Sequence, residues 1–172
     1  MSDQEILERA QQAIGYRFRD PSLLVRALTH ASISANRLES NERLEFLGDA
    51  VLSLVICQEL FERFGKYLEG DLTKIKSMLV SRGTCARISR KMELHKFLKV
   101  GKGMVSSRAL SGSLAAGALE AVIAAIYLDG GMEAARNFIN RHILSHVEKL
   151  IDSDYDRNFK SKLLEYAQGL GM

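Results

Sequence analysis

The chain has 172 residues, of which 47% are hydrophobic and 26% are charged. These proportions are typical of a soluble globular protein with a sizeable core, and they exclude an intrinsically disordered chain. The longest nearly apolar run, Leu114 to Leu128, contains Glu120 and is too short and too polar to span a bilayer, and the polar, acidic N-terminus does not resemble a signal peptide. Cys57 and Cys85 lack the spacing of metal ligands, so we expect reduced packing residues in a cytoplasmic protein without a membrane partner.

Charge is distributed unevenly along the chain, although the net charge is only +3. Between Leu38 and Asp71, eight acidic residues stand against three basic ones, whereas between Lys74 and Arg108 ten basic residues stand against one acidic residue, Glu93. A basic segment beside an acidic one suits a polyanion bound by basic side chains while metal ions sit among carboxylates. The alternative for the basic segment, taken alone, is a solvated helical face.

Hydrophobic spacing predicts helix in nearly every segment, and no alternating strand pattern occurs. Asp20, followed by Pro21 at the first helical position, is a predicted N-cap, as are Asn41 and Asp71. Residues 101–112 are rich in glycine, serine and basic side chains and predict a loop. We therefore expect an all-α fold, with helices over residues 6–14, 21–28, 42–64, 72–81, 82–92, 113–128, 132–150 and 159–167.

Acidic residues interrupt two helices that should be largely buried. The helix predicted after Asn41 is apolar around most of its circumference, yet Glu42, Glu45 and Asp49 occupy positions i, i+3 and i+7, within an arc of about 60°. Glu120 is the only charge in the apolar helix predicted for residues 113–128. Because like charges repel and buried carboxylates are costly to desolvate, something positive must face them. The two helices together predict a shared carboxylate cluster.

Hard oxygen ligands without a nearby histidine or cysteine favour Mg²⁺ or Mn²⁺ over Zn²⁺. Such an ion can lower the pKa of a water and stabilise charge on a phosphate. The alternative is that Glu42 and Glu45 pair with arginines at the rim of the helix. A di-iron carboxylate bundle is excluded, since it needs Glu-x-x-His pairs and none of the four histidines follows a glutamate by three residues.

The run NERLEFLGDAVL, residues 41–52, resembles the signature motif of the ribonuclease III family. Four further runs lie where that family has them: ALTH at 27–30, EGDLTK at 69–74, LEAVI at 119–123 and YLDGG at 127–131. The resemblance covers about residues 5–150. It implies an all-α nuclease domain that forms homodimers and cuts double-stranded RNA with Mg²⁺, or with Mn²⁺ as a substitute, in RNA processing.

The resemblance also implies roles for individual residues. The expected metal ligands are Glu45, Asp49 and Glu120, and the expected catalytic acids are these three with Glu42. Glu69 matches an acid at the rim of the catalytic valley. Phe46 matches a residue that inserts into the partner subunit, although an ordinary core position is the alternative. Contacts to RNA phosphates are expected from basic residues of the 74–108 segment, namely Lys74, Lys76, Arg82, Lys102 and Arg108.

Gly117 departs from the pattern of the family, which has an aspartate three residues before the glutamate of the second helix. Glycine inside a helix costs about 1 kcal/mol relative to alanine, so helix propensity does not explain it. One account is close helix packing, and the other is a lost metal ligand that impairs catalysis. The sequence therefore leaves two hypotheses open: a metal-dependent endoribonuclease, or a catalytically inactive dimer of the same fold that binds structured RNA or a partner.

The C-terminal residues form the second departure. Residues 158–168, NFKSKLLEYAQ, resemble the opening helix of the double-stranded-RNA-binding domain that usually follows the nuclease domain. We expect a nuclease domain over residues 1–151, a linker over 152–157 and a stub of the binding domain over 158–172. A compact nuclease without any binding domain is a third option, against which the stub argues.

Overall fold

The computed structural model describes residues 2–101 and 112–146, and this part of the chain contains six α-helices. They are α1 (Asp3–Ile14), α2 (Pro21–Ala27), α3 (Glu42–Arg63), α4 (Glu69–Leu79), α5 (Arg82–Lys91) and α6 (Ser113–His142). Short 3-10 helices cover Arg37–Glu39, Leu94–Lys96 and Leu144–His146. Within the described ranges, extended segments pair only through the isolated parallel bridge between Thr29 and Lys99. The all-α prediction is confirmed.

The predicted N-caps have three different outcomes. Asp20 caps α2 as expected, because its carboxylate accepts a hydrogen bond of 3.0 Å from the backbone N–H of Ser22. Asn41 occupies the N-cap position of α3 but makes no side-chain capping hydrogen bond. The prediction for Asp71 is wrong, because α4 already begins at Glu69. Both acids then lie in the first turn of α4, where they stabilise the positive end of the helix dipole.

The two helices predicted on either side of Gly131 are confirmed as two helical segments of α6 that meet at a kink. Gly131 lies at the kink, outside helical geometry, with φ of 78° and ψ of −175°. This conformation is accessible to glycine because glycine has no Cβ. The α-helix ends at His142 and is followed by the 3-10 helix Leu144–His146, so the predicted α-helical continuation is wrong over residues 143–146. Residues 147–150 and the helix predicted at 159–167 lie outside the described residues.

α6 forms the centre of the molecule and packs against both α3 and α5. Its residues from Ala115 to Ile126 are all buried, which explains why the most apolar run of the sequence lies here. α6 is long and apolar enough to cross a membrane by length and composition alone, but 67% of its most apolar window is buried inside the protein. Cys85 is buried as expected, whereas the packing role predicted for Cys57 is wrong because its side chain is exposed on α3.

Candidate active site

An open cavity of about 570 Å³ lies between α3, α6 and the start of α5. Its lining contains four carboxylates, of which three come from α3 and one from α6; they are Glu42, Glu45, Asp49 and Glu120. Phe46, Ala50, Val80 and Arg82 complete the lining. The acids that the sequence placed on two separate helices therefore face one space.

Close contact between α3 and α6 makes this arrangement possible. A Cβ atom at Gly48 would overlap the backbone carbonyl oxygen of Glu120, so only glycine lets the helices approach this closely. Gly48 lies between Glu45 and Asp49 in sequence, and its contact with α6 therefore places the Glu120 backbone beside both acids. The position of Glu120 is thus fixed by backbone packing.

Burial and mutual repulsion raise the pKa of two of these acids. Burial is the largest cause for Glu120, and the charges of Glu45 and Asp49 add to it, which raises the pKa of Glu120 to about 7. Burial also raises the pKa of Glu45, with smaller contributions from Glu42 and Asp49. A cation placed among these groups would lower the pKa of each carboxyl and relieve the repulsion.

Arginines contact two of the carboxylates, as in the rim-pairing alternative. Glu42 accepts two hydrogen bonds from Arg37, at 3.0 Å from Nε and 2.5 Å from Nη2, and this pairing holds the pKa of Glu42 below its usual value. Arg82 Nη2 lies 3.9 Å from Glu45 Oε1. Rim pairing is therefore confirmed for Glu42, and a looser pairing exists for Glu45.

The donor chemistry of the cavity fits Mg²⁺ or Mn²⁺, because all four candidate ligands are carboxylates. Among the residues that the structure describes, no three His, Cys, Asp or Glu side chains are gathered closely enough to hold an ion together. The cavity thus supplies the right ligand type, while the side chains are spread around it. Binding an ion would require these side chains to come closer together.

Gly117 explains the orientation of one of these side chains. A Cβ at position 117 would lie 2.7 Å from Cδ of Glu45 and 3.0 Å from its Oε1. The Glu45 carboxylate therefore occupies the space that a side chain at 117 would need. Because the conflict involves the end of a flexible side chain, rotation of Glu45 would relieve it. Close packing at Gly117 is thus observed, but against a movable group.

The remaining predicted site residues are arranged less compactly. Phe46 is 82% exposed at the edge of the cavity, so the alternative of an ordinary core position is wrong. Glu69 lies at the start of α4, outside the cavity lining, and accepts a hydrogen bond of 2.7 Å from Thr73 Oγ1. Lys74 is exposed and Lys76 half-buried, and both also lie outside that lining. Lys102 and Arg108 lie outside the described residues.

Sequence reasoning gave no role to two residues near the carboxylates, His30 and Arg37. His30 lines a smaller adjoining cavity of about 110 Å³ together with Glu42, Glu45 and Arg82. The backbone N–H of Ser32 donates a hydrogen bond of 3.1 Å to Nδ1 of His30. The ALTH run already pointed to His30, whereas the 3-10 turn that carries Arg37 left no periodic signal.

Comparison with known proteins gives consistent matches. Residues 20–147 match the family model described as Ribonuclease-III-like. The chain is 48% identical over 162 residues to Ribonuclease 3 of Rhodopirellula baltica, covering 94% of this chain and 61% of that protein. It is 42% identical over 166 residues to Ribonuclease 3 of Pseudomonas fluorescens, covering 96% of this chain and 71% of that protein.

Two solved structures share the fold. The nuclease domain of ribonuclease III from Campylobacter jejuni matches with a TM-score of 0.75 and 40% identity, over 80% of this chain and 95% of that one. In that structure, a region involved in dimer formation shows structural flexibility. Dicer from Giardia intestinalis matches with a TM-score of 0.67 at 21% identity, over 84% of this chain and 20% of that one, which shows a shared fold alone.

Proposed function

We propose that this chain, which belongs to the ribonuclease-III-like family, is a divalent-metal-dependent endoribonuclease that hydrolyses phosphodiester bonds of double-stranded RNA. The observation that carries the proposal is the gathering of four carboxylates, from the signature helix and from α6, around one open cavity. The chain spans 61% of the first relative and 71% of the second, so the activity of the longer proteins is extended to it here as a proposal.

Glu45, Asp49 and Glu120 are the residues that would hold Mg²⁺, or Mn²⁺ in its place, with Glu42 as a neighbouring acid. The bound ion would supply an activated water and stabilise negative charge on the scissile phosphate. The cavity is open to solvent, and Arg82 at its edge offers a positive charge to a phosphate. Lys74, Lys76, Lys102 and Arg108 remain proposed phosphate contacts.

A homodimer is the proposed assembly, and an exposed apolar stripe on α3 supports it. Phe46, Leu54 and Phe61 are 82%, 56% and 74% exposed on the same side of the helix, and Ala50 and Cys57 lie between them. Such a contiguous apolar stripe is typical of a protein–protein interface. Two copies of the cavity would then serve the two strands of an RNA duplex.

The second candidate function is binding of structured RNA or a partner without cleavage. One observation favours it: glycine stands at position 117, where the pattern of the family has an aspartate. Domain boundaries at residues 1–151, 152–157 and 158–172, and a cytoplasmic location, also remain proposals. The last two segments lie outside the described residues.

A cleavage assay separates the two functions. Long double-stranded RNA is incubated with the purified chain in Mg²⁺, in Mn²⁺ or in EDTA, and with the variant Asp49→Asn. Metal-dependent products with 5′-phosphates, absent for the variant and in EDTA, would support the nuclease. Retained RNA binding without products under any metal condition would support the binding function instead.

A further inference from the structure

We propose that Arg82 is the resident counter-cation of the carboxylate cavity: it holds the Glu45 carboxylate over Gly117 until a divalent metal ion replaces it. This inference rests on the proposed metal-dependent function, and it assigns Arg82 a role before RNA arrives. Metal binding would then require Arg82 to leave, which frees it to contact a phosphate afterwards.

The charge balance of the cavity carries the first step of the argument. Four of its described lining residues are acids, and Arg82 is the one cation among them. Arg82 also lines the adjoining smaller cavity, where it again faces Glu42 and Glu45. Its charge lowers the pKa of both Glu45 and Glu120, against the burial that raises it. Arg82 thus acts electrostatically on two of the acids that would hold a metal ion.

The position of Arg82 in its own helix is the second step. Arg82 is the first residue of α5, and a cation is unfavourable there because it faces the positive end of the helix dipole. The first turn of α5 contains no acid, and its N-cap is supplied by Ser81, whose Oγ accepts a hydrogen bond of 3.2 Å from Thr84 N–H. Stability of α5 therefore does not explain an arginine at this position, whereas the acids across the cavity do.

The geometry of the ion pair is the third step. The Arg82–Glu45 distance of 3.9 Å is longer than a hydrogen bond, and the Arg82 side chain is 69% exposed. Exposed pairs of this kind are weak and are readily displaced. Glu45 lies over Gly117, where no Cβ holds it away, and it would be free to rotate into the cavity once its partner leaves. The contact is therefore suited to exchange with a more highly charged ion.

Direct measurement of Mn²⁺ binding without RNA tests the inference, with free Mn²⁺ followed by electron paramagnetic resonance. The full chain is compared with Arg82→Gln, Arg82→Lys and Arg87→Gln. Arg87 is exposed on the same helix but lies outside the cavity lining, so its variant matches the charge change. We expect Arg82→Gln to bind Mn²⁺ up to about fivefold more tightly, because an exposed ion pair contributes at most about 1 kcal/mol and the ion no longer has to displace it. Arg82→Lys and Arg87→Gln should stay within about 1.5-fold of the parent.

The outcomes separate this inference from the proposed function. Equal Mn²⁺ affinity of Arg82→Gln and Arg87→Gln would overturn the role of Arg82 while leaving the metal-dependent nuclease intact. The inference is likewise overturned if Arg82→Gln weakens RNA binding and leaves Mn²⁺ affinity unchanged, since Arg82 would then act on RNA alone. Absence of Mn²⁺ binding by every variant would reject the metal-dependent function and this inference with it.

Discussion

Replacing Gly117 with aspartate is expected to strengthen metal binding and to raise or create RNA cleavage. The new side chain would enter the space that the Glu45 carboxylate now occupies, since a Cβ there lies 2.7 Å from Glu45 Cδ. Glu45 must then rotate away from position 117, and a further carboxylate is added one helical turn before Glu120. The added carboxylate brings acidic oxygens closer to the place where an ion would bind.

The size of the effect follows from the number and proximity of the charges. Mutating a residue that hydrogen-bonds to a metal ligand typically changes metal affinity about 10–100-fold. Adding an aspartate that binds the metal directly should therefore raise the affinity by at least this factor, which corresponds to about 1.4–2.7 kcal/mol. Without metal, the same carboxylate adds repulsion of up to about 3 kcal/mol with a neighbour about 6 Å away at an effective dielectric constant of 20. Gly117→Asp should therefore be less stable than the parent in EDTA and should gain more stability from Mg²⁺.

Gly117→Ala is the matched control, because it fills the space over Gly117 without adding a ligand. Its helix propensity is better by about 1 kcal/mol, and it displaces Glu45 to the same extent. Cleavage of long double-stranded RNA and thermal melting with and without Mg²⁺ are measured for all three proteins. If Mg²⁺ changes cleavage and melting temperature equally for the alanine and aspartate variants, the lost-ligand account is refuted. The effect of position 117 would then come only from the space that its side chain fills.

Three further predictions concern packing, assembly and pH. Gly48→Ala should lower the free energy of unfolding by about 3 kcal/mol or more, because the Glu120 backbone cannot move aside for the added Cβ. Urea denaturation measures this loss, and a loss below about 1 kcal/mol would contradict the close contact between α3 and α6. Leu54→Glu should raise the dimer dissociation constant, measured by analytical ultracentrifugation, about a hundredfold or more. Val25→Glu, a matched change at an exposed residue of α2, should leave this constant unchanged. A parent protein that is monomeric would contradict the proposed homodimer. Burial lowers the pKa of His142, so the unfolded chain takes up the proton first and the free energy of unfolding should fall as the pH drops below about 6.5. His142→Phe should reduce this loss of stability at low pH. Parallel curves of stability against pH for the parent and the variant would disprove the prediction.

The helices and the acidic side chains were predictable because both depend on local spacing. Periodicity of apolar residues placed α3 within one residue at each end, and the i, i+3, i+7 spacing placed three acids on one side of it. The start of α4 was not predictable in the same way. Asp71 is a favourable capping residue, yet acids also stabilise the first turn from inside the helix, and sequence alone does not distinguish these positions.

Contacts between distant segments lay beyond the sequence. Arg37 belongs to a 3-10 turn outside any amphipathic pattern, and its pairing with Glu42 depends on how that turn enters α3. The orientation of Glu45 depends on an empty space on another helix, which no spacing rule describes. Arg82 was expected to contact RNA because it belongs to a basic segment, but its position at the cavity edge follows from the packing of α5. Tertiary structure therefore decides which charges meet.

Two glycines on facing helices let α3 and α6 bring their acids together. Gly48 lets α6 come close enough to bring Glu120 beside the acids of α3, and their charges add to the burial that raises the pKa of Glu120 to about 7. Gly117 leaves space for the Glu45 carboxylate one helical turn before Glu120, and Glu45 is the larger of the two charges that raise the Glu120 pKa. Aspartate at position 117 would displace Glu45 and add a further charge beside Glu120, so the residue at 117 sets how strongly the folded chain depends on a bound cation.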